Sequence, residues 1–370
     1  MRDKYNILFI TSLRGWGGGE IWMLKTAQAL RGRGHRTLIV CRTGSRMSLY
    51  AEQANQPFKA ITFRGDFDLF VIANLIFIFN RFRPDIIIPN LDKEIRLSAI
   101  AARLTNSAKI VPRRGNEFPL KDKWRYRIIY NLLVDKLIVN CQATKKVLLN
   151  NANWLNSNKI EVIYNGIEID KFQQRFDTTK LWYEFNIPPE YLVVGMIGEL
   201  NERKGHIYLF KAAKQIIAQH SKVKFLLVGE GDAETELKTT ISRMGLEDNF
   251  HFTGFREDIP ELLDLIDIVV LPSLNEGTPN AIMEAMAAAK PIVASAVSGT
   301  PELVLDNITG FLVPVKNSDK LAEKILTLLN SKDLRTKMGK RGKQRIVESF
   351  AFDDMLDRYE ELFNRLFNRE

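Results

Sequence analysis

Cysteine is nearly absent from the chain: Cys41 and Cys141 are the only two in 370 residues. Two thiols cannot build a disulfide framework and are too few for a cysteine-based zinc site, so a reducing cytoplasm is the expected location. Long apolar runs are lacking too. The longest, Leu69 to Phe79, is 11 residues with Asn74 inside it, against roughly 20 needed to span a bilayer. No short repeat or low-complexity tract occurs, and 45% hydrophobic with 26% charged residues excludes collagen-like, disordered and disulfide-scaffold classes. At the N-terminus, Tyr5 to Leu13 runs straight into Gly15-Trp16-Gly17-Gly18-Gly19 with no small-residue cleavage pattern. It reads as a first strand and a glycine loop, not a secretion leader.

What is present begins with length and charge. A chain of 370 residues suggests two domains of ordinary size. Its formal charge is +9, with 53 Lys plus Arg against 44 Asp plus Glu. Residues 1–170 hold 27 basic and 14 acidic side chains, leaving 26 and 30 for the remainder. The basic excess therefore lies wholly in the first half, where it attracts an anionic partner (nucleic acid, a membrane surface or a phosphorylated substrate) or simply solvates helix faces.

Short β-rich runs alternate with amphipathic stretches, as in Asn6–Thr11, Glu20–Arg31 and Thr37–Cys41. This alternation predicts right-handed βαβ units and parallel sheets covered on both faces. Strands are expected at Asp85–Pro89, Lys109–Pro112, Lys136–Asn140 and Ile160–Ile163. A second series is expected at Leu192–Ile197, Lys224–Val228, Phe250–Thr253, Ile268–Leu271 and Pro291–Ala294. Between the series, Glu168 to Pro189 carries Pro188-Pro189 and no clear strand, which suits an interdomain connection. The spacing of Phe350, Met355, Tyr359, Leu362 and Leu366 predicts a helix over 350–367. Doubly wound sheets bind ligands at the carboxyl ends of their strands, so two facing domains would share one cleft.

Three segments carry chemistry. The loop Gly15 to Glu20 lies between the first strand and first helix, where amides at a helix N-terminus receive an anion or merely make a tight turn. A dinucleotide fingerprint would need glycine where Glu20 stands and an acidic end to the second strand where Val40-Cys41-Arg42 stands, so a dehydrogenase is disfavoured. The segment Gly198 to Gly205 contains Arg203-Lys204, adjacent cations that neutralise a diphosphate or else form ordinary surface charge. The richest segment is Pro272 to Ala287. Glu276 follows a buried strand, and Glu284 lies four residues past Asn280 on the helix that the loop enters. Carboxylates accept from vicinal sugar hydroxyls, so two of them eight apart can grip two sugars of one ligand. Between them Gly277 and Thr278 open a helix whose amides suit a phosphate.

Taken with Val162 to Ile167 and Phe172, Val228-Gly229-Glu230-Gly231, Phe252-Thr253-Gly254, Ser298 to Glu302 and Thr309 to Val313, these segments resemble, in this order and over nearly the full chain, the retaining glycosyltransferases of family 4. The resemblance implies an α/β architecture of GT-B type: two doubly wound Rossmann-like domains facing a central cleft. Residues 1–170 would form an acceptor-binding domain and 171–349 a nucleotide-sugar-binding domain. The last helix, 350–370, would cross back to complete the first. It further implies a nucleotide diphosphate sugar as donor substrate, with no cofactor and no metal. Glu284 would hold the ribose, Glu276 the transferred sugar, and Arg203 and Lys204 the diphosphate, making Glu276, Lys204 and Arg203 the catalytic set. Gly17, Gly18, Gly198, Gly277, Thr278, Pro279 and Asn280 would line the donor, and the segment at Phe255-Arg256 would meet the base largely through backbone.

Two departures from the family pattern stand out. Glu199 occupies a place where many relatives have Arg, so Arg203 would supply the missing cation. Val111 to Glu117 lacks the histidine many relatives carry near the reacting sugar, leaving Arg113 or Arg114 to face an acceptor or donor, or to be structural. Asp66-Phe67-Asp68 matches a metal-binding DxD in letters only and is read as a helix cap.

Helices are expected over Leu69–Phe82 and Leu120–Leu133, both rich in large apolar residues beside bases. The second lies on an anionic leaflet, or packs on the sheet with its basic face in water. The expected activity is transfer of a hexose from a nucleotide sugar to a cell-surface glycan, such as a lipopolysaccharide core or another lipid-linked glycan, at the inner face of the cytoplasmic membrane. Alternatives are a sugar phosphorylase or nucleotide-sugar epimerase of the same fold, a nucleic-acid-binding protein, for which no recognisable module is present, and a non-catalytic scaffold, against which intact Lys204, Glu276 and Glu284 argue.

Overall fold

The structure is a computed structural model that describes residues 4–65, 68–106, 108–115, 119–120 and 122–367. Asp66, Asn116, Glu117 and Lys121 lie outside the described residues. The chain divides into two compact units, Met1–Asn165 with Asp353–Glu370, and Gly166–Phe352. The segment 168–189 thus belongs to the second unit.

In the first unit, β1 (Asn6–Thr11), β2 (Arg36–Arg42), β3 (Phe58–Ile61), β4 (Ile86–Pro89) and β5 (Lys109–Ile110) form a parallel sheet in the order β3-β2-β1-β4-β5. A second parallel sheet follows, β6 (Arg113–Arg114), β7 (Leu137–Val139) and β8 (Ile160–Val162). The central strands are predominantly apolar because helices cover both faces. Helices α1 (Gly18–Gly32) and α2 (Arg46–Gln53) follow β1 and β2, and α3 (Leu69–Phe82), α4 (Asp92–Thr105), α5 (Trp124–Ile128) and α6 (Gln142–Asn151) come after. Val71, Leu75 and Phe79 of α3, Ile95 and Ala102 of α4, and Tyr126 and Tyr130 share one core cluster with Leu8, Ile10 and Ile87 of the large sheet. Asp68 caps α3, accepting from Arg64 N at 2.8 Å and Val71 N at 3.2 Å. Those backbone bonds, the one from Arg64 first, hold its carboxyl below the usual range.

In the second unit, α7 (Thr179–Glu184) precedes six parallel strands: β9 (Leu192–Ile197), β10 (Val223–Val228), β11 (Phe250–Gly254), β12 (Ile268–Leu271), β13 (Ile292–Ser295) and β14 (Gly310–Val313). Their order is β11-β10-β9-β12-β13-β14. Helices α8 (His206–Gln219), α9 (Glu234–Met244), α10 (Ile259–Leu265), α11 (Asn280–Ala287), α12 (Thr300–Leu303), α13 (Ser318–Leu329) and α14 (Lys332–Ser349) complete it. β9 is flanked by β10 and β12, so the order reverses beside β9, and a doubly wound sheet takes its ligand at the carboxyl ends of such strands. The loops there are 198–205 and 272–279, two of the three segments singled out above.

The last helix, α15 (Phe352–Phe367), belongs from Asp353 onward to the first unit. Arg33 binds Asp353 at 2.9 Å, Glu360 at 2.6 Å and Asp357 as well, while His35 Nε2 meets Glu360 at 2.7 Å. Tyr5 donates to Asn364 at 2.7 Å and packs on Phe363 and Phe367.

Several expectations shift. The helix expected from Phe350 begins at Phe352, and the strand expected over Lys109–Pro112 stops at Ile110. The single helix expected over Leu120–Leu133 is α5 followed by a π turn, Ile129–Leu133, closed by Val134 N on Ile129 O at 3.0 Å. Three short strands, β3, β6 and β14, were not expected. β6 has only two residues, too few to show a period, and a pairing partner distant in sequence defines it.

Candidate active site

The site is built where β9 and β12 end. After β9 the chain passes Gly198 and enters a 3₁₀ turn, Glu202–Lys204, capped by Asn201, whose Oδ1 accepts from Lys204 N at 3.2 Å. Gly205 then reverses the chain with φ +74°. A side chain there would put Cβ 2.2 Å from the carbonyl oxygen of Pro272. Glycine is therefore required twice, for the left-handed backbone and for the close approach of the two loops. That approach is locked by Leu274 N donating to Arg203 O at 2.8 Å.

The result is a buried polar cluster. Lys204 Nζ donates to Glu276 Oε1 at 2.7 Å, and Arg203 Nη1 reaches Glu276 Oε2 at 3.3 Å and Asn275 O at 3.1 Å. Lys204 and Glu276 are 8% and 5% exposed. Charges this deep persist only when paired, and here one carboxylate engages two cations. The stem of Lys204 lies against Gly198, where an added Cβ would stand 3.1 Å from Lys204 Cε. Downstream, Gly277, Thr278 and Pro279 are buried and lead into α11. Asn280 and Glu284, one turn apart, share the half-buried face of that helix, while Ile282, Met283 and Met286 face the core.

Three partners were not picked out as site residues from the sequence. Ser273, fully buried, donates from Oγ to Glu276 Oε1 at 2.8 Å. Ser298, held at φ +52°, accepts from Glu276 N at 3.3 Å. His206 opens α8 beside Lys204. Burial pushes its imidazole down to about 4, an effect to which the charge of Lys204 adds, so it is neutral at pH 7. Ser273 stands three residues before Glu276 in the same loop, an offset that was available as a signal. His206 stands two residues after Lys204 and was equally local, whereas Ser298 reaches the cluster only through folding. Ser273→Ala is expected to lower the melting stability by about 2 kcal/mol, since a buried carboxylate loses one neutral donor, and to slow turnover severalfold; thermal melts and initial rates check both.

The remaining expected residues make contacts of their own. Arg256 is bound by Asp258 at 2.6 Å and Glu184 at 2.5 Å and lies over the Phe185 ring. The Asp258 contact first, then Glu184, raises its guanidinium above the ordinary range. Any contact with a base from this segment is thus left to the backbone. In the first unit, Gly17 is the N-cap of α1 and Gly18 its first residue. Glu20 is buried beside Thr11, and burial raises its carboxyl. Arg113, 3% exposed, donates to Asn165 Oδ1 at 2.7 Å and lies 4.0 Å from the Trp22 ring centroid. Arg114 donates to Asp92 at 2.7 Å and Tyr130 at 3.3 Å. Of the two readings left open for these arginines, the geometry favours the structural one. Among the described residues no group of three or more His, Cys, Asp or Glu is placed to hold a metal ion, and no helix is long and apolar enough to cross a membrane.

Comparison with known proteins finds likeness along nearly the whole chain. Residues 178–345 match the family Glycosyl transferases group 1, and residues 16–171 match Glycosyltransferase Family 4. The chain is 26% identical over 342 residues, 88% of either chain, to the UDP-Gal:alpha-D-GlcNAc-diphosphoundecaprenol alpha-1,3-galactosyltransferase of Escherichia coli. It is 26% identical over 312 residues, 80% of this chain and 81% of the other, to the capsular polysaccharide biosynthesis glycosyltransferase CapM of Staphylococcus aureus. Among solved structures, HepE of Anabaena in complex with UDP and glucose superposes with a TM-score of 0.87 at 25% identity, covering 97% of this chain and 99% of that one. With two parallel doubly wound units and family matches in both, the chain belongs to the family 4, group 1 glycosyltransferases and is an enzyme of GT-B fold.

Proposed function

We propose that the enzyme transfers a hexose, with retention of configuration and without a metal ion, from a UDP-sugar to a lipid-linked or cell-surface polysaccharide acceptor, such as a lipopolysaccharide core. The donor is supported by HepE, whose structure holds UDP and glucose, and the acceptor by the undecaprenol-linked and capsular polysaccharide relatives. The observation that carries the reading is the convergence of Lys204, Arg203 and Glu276 beside the start of α11.

In this reading Arg203, Lys204 and the amides of Gly277 and Thr278 take the diphosphate, with Gly198 giving it room. Glu276 holds the transferred sugar, Pro279 and Asn280 line the donor, and Glu284 accepts from the ribose hydroxyls. In the first unit the amides of Gly17 and Gly18, at the start of α1, are a second anion seat. As the sugar–phosphate bond breaks, negative charge grows on the diphosphate and the sugar becomes oxocarbenium-like, so fixed cations at the phosphate lower the barrier. The acceptor hydroxyl attacks from the leaving-group side and gives its proton to a phosphate oxygen, which retains configuration. The cations and amides fill the role a metal would otherwise take at the diphosphate. The basic first unit suits a peripheral contact with the cytoplasmic face of an anionic membrane.

A thermal-shift panel of UDP, GDP and ADP sugars tests the donor. A ligand at a hundred times its dissociation constant stabilises by ~2.7 kcal/mol, and UDP-sugars are expected to give the largest shift. Glu284→Ala is expected to abolish it; an unchanged shift would refute the ribose assignment. Phosphate-dependent breakdown of a disaccharide, or interconversion of free nucleotide sugars, would move the activity to the phosphorylase or epimerase alternative.

A further inference from the structure

Asp92 is the first residue of α4, just past the carboxyl end of β4. Its place is fixed by Glu94, fully buried two residues on, which accepts from Asn90 N and Leu91 N, both at 3.0 Å, and from Ser12 N just after β1. In the large sheet β1 lies between β2 and β4, so the strand order reverses there, as it does beside β9 in the second unit. Loops at such a reversal are where doubly wound sheets take ligands.

One oxygen of Asp92 is held twice. Oδ1 accepts from Arg114 Nη1 and from the Tyr130 hydroxyl, each at 2.7 Å, and Arg114 also reaches that hydroxyl at 3.3 Å. Both donors are set deep, Arg114 at 11% and Tyr130 at 1% exposed. Tyr130 belongs to the π turn, a rare form that recurs at functional sites. Lys159 braces that turn, its Nζ donating to the carbonyls of Tyr130 at 3.3 Å, Asn131 at 2.6 Å and Val134 at 2.7 Å. The other oxygen, Oδ2, has no partner among the described residues, and the side chain is 31% exposed. Two donors on one oxygen lock the carboxylate in place and leave the lone pairs of the second for a ligand.

We propose that Asp92 binds a hydroxyl of the acceptor glycan, accepting at Oδ2, with Arg114 and Tyr130 as its positioning residues. The proposal rests on the transferase reading above and names a residue of the first unit that meets the acceptor. The chemistry selects the ligand. A carboxylate oxygen repels the phosphates of a donor, whereas a sugar hydroxyl donates to it through a strong charge-assisted bond. Arg114 already balances the charge of Asp92, so a neutral group binds there without stranding a second charge. The arginine expected to face the acceptor itself therefore acts through Asp92.

Steady-state kinetics of the full chain test it through two readouts. One is transfer from UDP-glucose, UDP-galactose or UDP-N-acetylglucosamine to the octyl α-glycosides of glucose, galactose and N-acetylglucosamine. The other is hydrolysis of the same donors with no acceptor present. Asp92→Asn keeps the shape of the side chain and is expected to lower kcat/KM for the acceptor by about ten- to hundredfold, the range for a hydrogen bond to a charged group. Hydrolysis should be unchanged. Tyr130→Phe strands no charge, so it carries the test even where Asp92→Asn folds poorly; it should lower transfer by about threefold or more, again with hydrolysis kept. Monodeoxy versions of the accepted glycoside locate the contact: loss of one hydroxyl should impair the parent and cost Asp92→Asn nothing further. Asp122→Asn, a control at an exposed carboxylate paired with Arg127, should leave both readouts unchanged. Variants that transfer like the parent, or that lose hydrolysis in step with transfer, would overturn the proposal. So would a parent chain that hydrolyses a donor and glycosylates none of the octyl glycosides. A chain that neither hydrolyses nor is stabilised by any UDP-sugar defeats the donor assignment instead.

Discussion

Lys204→Ala is expected to reduce turnover by about a hundredfold or more, because a fixed cation at a developing anion typically contributes a few kcal/mol to the barrier. The loss should fall on kcat more than on KM, since charge on the leaving diphosphate increases in the transition state. Stability should also drop, by less than the ~3–5 kcal/mol of a wholly orphaned buried charge, because Ser273 and Arg203 still bond Glu276. A companion substitution separates the two effects. Pairing Lys204→Ala with Glu276→Gln removes the stranded carboxylate and should recover part of the melting temperature. It should not recover turnover. If release of nucleotide from a UDP-sugar were restored in the pair, Lys204 would serve only to neutralise Glu276, and its role at the phosphate would be lost.

Gly205→Ala is expected to be the most disruptive single methyl group in the site. Two costs add: a left-handed backbone for a residue with a Cβ, about 1–2 kcal/mol, and an overlap 2.2 Å from the Pro272 carbonyl oxygen that only backbone movement relieves, about 1–3 kcal/mol. At roughly 3 kcal/mol in all, the melting transition of the second unit should fall by ~10 °C. Relief of the overlap would part the loops that hold Lys204 and Glu276 together, so turnover should fall with it. Gly245→Ala is the internal control. Gly245 has nearly the same backbone, φ +66°, but no atom stands within 4 Å of its added Cβ. It should pay the conformational cost alone, about 1–2 kcal/mol, with turnover unchanged. Equal melting losses at the two glycines would refute the close approach of the loops.

How far the fold could be read varied from strand to strand. The apolar-rich runs at Asn6–Thr11, Leu192–Ile197 and Ile268–Leu271 match the observed strands at both ends, because a strand buried on both faces is apolar over most of its length. Arg113-Arg114 gave no such sign. Its two residues become β6 only through the register that sets them beside Ile138 and Val139. Once folded, Arg113 is buried against Trp22 and Arg114 is tied to Asp92, partners 91 and 22 residues away in the chain. The same limit applied to Arg256: the resemblance implied a base contact from its segment, largely through backbone, and nothing local showed that its guanidinium is also held by Glu184, 72 residues away.

The order of strands and helices, the family, and the two loops that carry the candidate site were settled by local pattern, since burial on both faces and helix-opening turns leave signatures within a few residues. That Lys204 and Arg203 converge on Glu276, that Ser273 holds this carboxylate and Ser298 the Glu276 amide, and that Gly205 admits the Pro272 carbonyl were decided only by tertiary structure. The physical reason is distance along the chain: 72 and 73 residues separate the ion-paired groups, and only the adjacency of β9 and β12 in the sheet brings their loops together.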